Sequence, residues 1–234
     1  MSLLTIMASV CSRLSIAIPT TVVSNTSAQV SQLLYLAQEE GEDLASRCAW
    51  KALMKEKTFT VTLAAAQTGA LPTDFDWMIP ETIFNRTERR AVEGPIDPAD
   101  WQLLQAGLVG RVFQAYRIRG NALLITPTPT AADTIAYEYV SKNWCESSGG
   151  TGQAAWAADT DLPLIDAELH TQGIVWRFLK MRGMDHADYY RDYEKNVMKA
   201  MIREGTRPRI QLADTRGKHS AADLIQGGYR VIVP

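Results

Sequence analysis

Several features that would identify a protein class are scarce in this sequence. Its three cysteines, Cys11, Cys48 and Cys145, are odd in number and far apart, which excludes a disulfide framework and a paired-cysteine metal site. Unpaired cysteines are typical of a reducing compartment. No run of about 18 apolar residues occurs, so no membrane-spanning helix is predicted. The first ten residues lack a basic region, and we expect no signal peptide.

An excess of either charge is also absent. Lysine and arginine number 24 and aspartate and glutamate 26, which leaves a formal net charge of -2. A protein that wraps DNA through its phosphates is usually strongly basic, so sequence-independent DNA binding by the whole chain is not expected. Hydrophobic residues make up 46% of the 234 residues, enough for a core that requires neither disulfides nor a structural metal.

The common catalytic motifs are missing as well. The chain contains no G-x-S-x-G, no H-E-x-x-H and no C-x-x-C. The glycine-rich residues 149–152 lack the lysine and the following helix of a phosphate-binding loop, and we interpret them as a linker. These absences favour a protein without enzymatic activity, and no cofactor is expected.

His170 is the strongest candidate for chemistry, because Asp166 and Glu168 are close to it and Asp159 and Asp161 precede it. A metal or acid–base site there is the alternative interpretation. We favour a helix beginning at this point, because carboxylates stabilise helix N-termini. On that interpretation no residue is catalytic or binds a metal. Changing His170 or Glu168, as exposed residues at a helix end, should alter stability by about 1 kcal/mol or less.

Apolar residues at helical spacing predict four main helices. Their expected buried faces are, in order, Leu3, Met7, Val10 and Leu14; Val30, Leu34, Ala37, Gly41, Leu44 and Cys48; Ile165, Leu169, Trp176 and Leu179; and Tyr190, Tyr193, Val197 and Met201. Each is too short to be stable alone, so we expect an antiparallel bundle.

Residues 58–141 have a different pattern, rich in strand-forming residues. Gly120 and Asn121 separate two apolar runs and predict a short hairpin. Alternation over residues 134–140 predicts a further strand, and Asp97 with Pro98 predicts the start of a short helix. The expected fold is therefore α+β and mainly helical. Residues 1–57 and 158–204 would form a small antiparallel helix bundle, 58–157 an inserted β-rich subdomain with a loop, and 205–234 an extended C-terminal arm.

The arm is the expected binding element. It contains five basic side chains against Asp214 and Asp223, a net charge of +3, and it ends in a strand-forming run. Such a run could pair with the edge of a partner's sheet, or it could complete the sheet of the protein's own insert. The expected site residues are Arg207, Arg209, Arg216, Lys218, Tyr229, Arg230, Val231, Ile232 and Val233.

A series of short motifs, in their order and spacing up to about Gly205, resembles the head-to-tail adaptor (connector) proteins of tailed phages, mostly short-tailed ones. These motifs are the opening helix from Leu3 to Leu14, Arg47-Cys48-Ala49-Trp50, Leu71-Pro72-Thr73-Asp74-Phe75-Asp76, Asn85-Arg86-Thr87, Arg89-Arg90, Gly94-Pro95, Trp101, Arg117-Ile118-Arg119-Gly120, Thr126-Pro127-Thr128-Pro129, Tyr137-Glu138-Tyr139-Val140-Ser141, Asn143-Trp144 and Gly173-Ile174-Val175-Trp176-Arg177.

This resemblance implies a structural subunit of the virion at the head–tail junction, assembled in the bacterial cytoplasm. About twelve copies would form a closed ring under the portal protein. The ring would extend the DNA channel, contact the tail tube or nozzle protein through its other side and let the genome pass without sequence-specific binding. The arm would contact the portal. Two alternatives remain: a head-closure or tail-completion protein at another level of the channel, and an unrecognised helical enzyme.

Overall fold

The computed structural model describes residues 1–107 and 113–205, which divide into two compact units. The first unit contains Met1–Met54 and residues 141–205, and the second contains residues 55–107 and 113–140. The chain therefore leaves the first unit after Met54 and returns to it after Val140. The domain ranges expected from the sequence stay a prediction.

Five α-helices and eleven strands lie within the described residues. The helices are α1 (Leu3–Leu14), α2 (Ala28–Arg47), α3 (Pro98–Gln105), α4 (Ala167–Met181) and α5 (Ala187–Arg203). The strands are β1 (Met54–Thr60), β2 (Ala66–Gln67), β3 (Phe75–Met78), β4 (Phe84–Asn85), β5 (Arg90–Ala91), β6 (Ala115–Arg119), β7 (Ala122–Thr126), β8 (Thr134–Ser141), β9 (Cys145–Glu146), β10 (Gly152–Gln153) and β11 (Leu162–Pro163).

The expectation of a mainly helical bundle is wrong. Of the described residues 38% are helical and 21% lie in strands, so the fold is a mixed α+β fold. Part of the difference comes from very short strands such as β9, β10 and β11. Two-residue strands carry no alternating pattern, because alternation needs about four residues to be visible.

Helix α4 is the centre of the first unit, and α1, α2 and α5 all pack against it. It begins where the Asp166 side chain accepts the backbone N–H of Glu168 at 2.9 Å, which confirms the predicted helix start. All four residues of the predicted stripe are buried, although Ile165 precedes α4, and in α2 only Leu34 of the predicted stripe is partly exposed.

Helix α5 packs along one side only, and this corrects its predicted buried face. Tyr193 and Val197 are buried, whereas Tyr190 is 44% exposed. The Tyr190 ring instead lies at the edge of the contact with α4, with its centroid 5.0 Å from that of Trp176 in an edge-to-face arrangement. The predicted stripe was too wide, because a peripheral helix buries a narrower face than one enclosed in a bundle.

A small antiparallel sheet completes the first unit, with β9 between β10 and β11. Cys145 pairs with Gln153 on one side and with Pro163 on the other. This sheet places Trp144 directly over Gly41 of α2, where a β-carbon would overlap the indole ring. Glycine at this position therefore lets the indole pack against the helix backbone.

The second unit contains two antiparallel sheets, one in the order β1-β8-β4-β5 with β3 also paired to β8, and one in the order β2-β7-β6. The predicted hairpin is confirmed: β6 pairs with β7, and Gly120 and Asn121 have φ values of 57° and 60°. Both angles are left-handed, as a two-residue hairpin turn requires. The predicted start of α3 is also confirmed, because the Asp97 carboxylate accepts the N–H of Ala99 at 2.8 Å.

Tyrosines of β8 anchor the core of the second unit. Tyr137 is buried and its hydroxyl donates a hydrogen bond to the carbonyl oxygen of Ala70 at 2.5 Å. The Tyr139 hydroxyl donates to the carboxylate of Asp74 at 3.0 Å.

None of the helices within residues 1–107 and 113–205 has the length and hydropathy of a membrane span.

Candidate interaction surfaces

His170 lies in the interior of the first unit. Its side chain is completely buried in α4, with ring centroids 5.8 Å from Trp144 and 6.0 Å from Trp156. Neither ring nitrogen has a hydrogen-bond partner among the described residues. Burial lowers the pKa of His170 to about 4, so the imidazole is neutral at physiological pH. His170 lies in the first turn of α4, as predicted, but the expectation that it is exposed is wrong.

The carboxylates close to His170 in the sequence accept hydrogen bonds from backbone N–H groups instead of facing the His170 ring. Asp159 accepts the N–H groups of Val22 and Val23, at 3.1 Å and 2.8 Å. Asp161 accepts two N–H groups of its own loop, at 2.7 Å and 2.8 Å. Within the described parts of the chain, no group of three or more His, Cys, Asp or Glu side chains is placed to hold a metal ion.

Glu168 contributes to packing between helices. Its carboxylate receives two hydrogen bonds from the guanidinium of Arg13 in α1, at 2.8 Å and 2.9 Å. Partial burial opposes ionisation, but hydrogen bonds from Gln172 and Arg13 and the charge of Arg13 outweigh it and lower the pKa of Glu168. The pair is close to half exposed, so it contributes modestly to stability.

A buried carboxylate that the sequence analysis missed joins α2, α4 and α5. Glu40 is fully buried, and it accepts hydrogen bonds from Arg177 at 2.7 Å and from the Tyr193 hydroxyl at 2.5 Å. Burial raises the pKa of Glu40 to about 7, although the contacts with Tyr193 and Arg177 oppose the rise. One feature of the sequence indicates this burial: Glu40 lies between Ala37 and Leu44 on the apolar stripe of α2.

Two helices of the first unit present long exposed faces. The outer stripe of α2 consists of every third or fourth residue on the side away from its buried stripe: Ser31, Tyr35, Glu39, Glu42 and Ser46. The outer face of α5 lies opposite its buried residues and mixes basic and apolar side chains: Arg191, Lys195, Met198, Lys199 and Ile202. These faces are defined by exposure, and neither was predicted as a binding surface.

Grooves in each unit are open and chemically mixed. One of about 490 Å³ lies among α1, α4 and α5 and includes Arg13, Asp188 and Asp192 in its lining. Two others in the second unit have volumes of about 350 Å³ and 400 Å³. None of these three grooves is lined by histidine or cysteine.

The predicted arm residues lie outside the described residues. These are Arg207, Arg209, Arg216, Lys218, Tyr229, Arg230, Val231, Ile232 and Val233. The structure therefore does not test their assignment, which stays a prediction.

Comparison with protein families decides the assignment, because the family model described as "SU10 adaptor protein" matches residues 1–222. The chain belongs to the SU10 adaptor protein family. The predicted resemblance to phage adaptor proteins is thereby confirmed. A search of curated proteins found no match. Members of this family are structural phage adaptors and generally not enzymes, so the SU10-type adaptor described here is a virion component that contacts other virion proteins.

Proposed function

We propose that this adaptor forms a ring between the portal protein and the tail tube or nozzle protein and extends the channel through which the genome passes. The observation that carries the proposal is the family match over residues 1–222. About twelve copies in closed rotational symmetry would give such a ring. The near-neutral charge of the chain, -2, suits a channel that DNA passes without sequence-specific binding.

The C-terminal arm is the proposed portal contact. Its net charge of +3 leaves -5 for the remainder of the chain, so the arm would be attracted to an acidic surface of the portal. The final run Tyr229, Arg230, Val231, Ile232 and Val233 would add a strand to a sheet edge of its partner. Assembly in the bacterial cytoplasm agrees with three buried cysteines that form no disulfide.

Electron microscopy of the purified protein with and without isolated portal tests the proposal. We expect rings on portal particles and no binding to isolated tail tube that lacks portal. Binding to tail tube alone would instead indicate a tail-completion protein at another level of the channel.

Deleting residues 224–234 tests the arm in the same assay. The truncated chain should keep the unfolding free energy of the full chain and lose attachment to portal. A loss of several kcal/mol on truncation would show that the run belongs to the protein's own fold, since a strand that completes a sheet contributes on that scale. In that case the arm assignment is wrong, and the ring proposal is decided by whether the full chain forms rings on portal.

A further inference from the structure

The outer face of α5 is exposed although it carries large apolar side chains. Met198 is 64% exposed and Ile202 is 44% exposed, on the side opposite the buried Tyr193 and Val197. Lys195 and Lys199 flank them, and neither has an ion-pair partner within the described parts of the chain. Exposed methionine and isoleucine side chains on one face are typical of a protein contact, and the lysines beside them would favour an acidic partner.

The outer stripe of α2 has the opposite character within the same unit. Tyr35 is 69% exposed. Glu42 is exposed and receives a hydrogen bond from Gln38 but no ion pair in the part of the chain that the structure describes. Glu39 is 45% exposed and pairs with Arg177 through one oxygen. The stripe therefore offers an aromatic ring beside carboxylates.

The acidic residues near the α5 face do not cancel its charge. Asp188 pairs with Arg191, and both side chains are more than 70% exposed, so this pair is screened by solvent. Asp192 is exposed in the same N-terminal half of α5, and Glu194 is held by Arg47 at 2.9 Å. The C-terminal half of the outer face, with Lys195 and Lys199, keeps a net positive charge.

We propose that the outer face of α5 in one copy binds the outer stripe of α2 in the next copy. The contact would place Met198 and Ile202 against Tyr35, and Lys195 and Lys199 beside Glu42 and Glu39. Because the two patches differ, the interface is head-to-tail, and repetition about an axis closes a ring. This inference rests on the ring proposed above and names the surfaces that join its subunits.

Disulfide cross-linking of portal-bound protein tests the contact. The three native cysteines are buried, so a chain with Tyr35→Cys and Met198→Cys has its reactive thiols at the two faces. Mild oxidation should give a ladder of dimers, trimers and larger species under non-reducing conditions. Each single variant should remain monomeric in the same assay. Dimers from Met198→Cys alone would indicate a two-fold contact and overturn the head-to-tail assignment.

Charge reversal gives an independent test with a built-in rescue. Lys195→Glu with Lys199→Glu makes both faces acidic, and Glu42→Lys with Ser46→Lys makes both basic. Each variant alone should lower ring occupancy on portal about tenfold or more, because like charges are brought together. An equal mixture should restore rings, since acidic and basic faces then alternate around an even-numbered ring. Arg119→Glu with Lys142→Glu, at two exposed positions outside α2 and α5, is the matched control and should leave occupancy unchanged.

The outcomes separate this inference from the function on which it rests. Suppose that the wild-type protein forms rings on portal, that both charge variants still form them, and that the double-cysteine chain gives no cross-linked ladder. These results would overturn the α5–α2 contact and leave the ring proposal intact. A wild-type protein that forms no ring on portal would overturn both.

Discussion

At the residue scale, His170 is a polar group in an apolar environment. Its ring is enclosed by Trp144 and Trp156, and both nitrogens lack hydrogen-bond partners within the described residues. An imidazole in this setting resists protonation, because burial removes it from solvent and desolvation disfavours the charged form. The residue acts through packing, and the stability of the first unit should depend on pH through it.

His170→Leu should reduce that pH dependence. The pKa of His170 is 6.5 in the unfolded chain and about 4 in the fold. As the pH falls, His170 therefore binds a proton at a higher pH in the unfolded chain than in the folded protein. Stability is full above pH 6.5 and decreases toward pH 4, by about 2 kcal/mol at pH 5. The variant should lack this loss.

Urea unfolding of both proteins at pH 7.5 and pH 5, followed by tryptophan fluorescence, measures the difference. The change in unfolding free energy between the two pH values should be about 2 kcal/mol smaller in His170→Leu than in the wild type. Equal changes in both proteins would mean that the imidazole is protonated within the fold.

Residue-level prediction from the sequence identified the apolar residues of α2 and α4 that face the core, but it missed the buried polar residues, including Glu40 in α2. The stripe of α2 alternates with polar residues, so Val30, Ala37 and Leu44 were identified. In α4 the buried set also includes His170 and Thr171, because α1, α2 and α5 all pack on this helix. When a helix has no continuous polar face, the periodicity of its sequence does not show which of its polar residues are buried.

At the element scale, α2 and α4 approach each other closely at Gly173. A β-carbon there would overlap the carboxylate of Glu40, which Arg177 and Tyr193 hold in place. The helix pair therefore encloses a buried ion pair beside a glycine.

Gly173→Ala should destabilise the protein although alanine is the better helix former. Helix propensity alone favours alanine by about 1 kcal/mol. Displacing Glu40 would break a buried ion pair, which costs about 3 kcal/mol or more. We therefore expect a net loss of at least about 2 kcal/mol in unfolding free energy, the difference between these two values.

Ser31→Ala on the exposed side of α2 is the control for this measurement and should change stability by about 0.5 kcal/mol or less. The double variant Gly173→Ala with Glu40→Ala should lose less than the sum of the single losses, because the clash is then removed. A stabilising Gly173→Ala would show that the two helices separate easily at this point.

Elements with their own local chemistry were predictable from the sequence. Gly120 and Asn121 specified a hairpin, and Asp97 specified the start of α3, because each depends on a few adjacent residues. The sheet of β9, β10 and β11 was missed, since its two-residue strands are defined by partners distant in sequence. Mixed α+β content was predicted, but the balance between helix and strand was not.

At the scale of the whole molecule, the pure protein should be monomeric or weakly associated. An obligate ring buries large apolar surfaces, usually more than about 2,000 Å² in total. The two outer faces offer few large apolar side chains: Tyr35, Met198 and Ile202. Sedimentation velocity at micromolar concentration should therefore give a species near 25.9 kDa. A stable closed ring without portal would contradict this expectation and leave the family assignment unchanged.

The return of the chain to its first unit has a consequence for synthesis on the ribosome. Helices α1 and α2 are made first, but α4, against which both pack, is made only after residues 55–140. The intervening unit has its own hydrophobic core and can fold as soon as it emerges. Until α4 follows, the apolar stripes of α1 and α2 have no partner, so this interval is when the nascent chain most needs a chaperone.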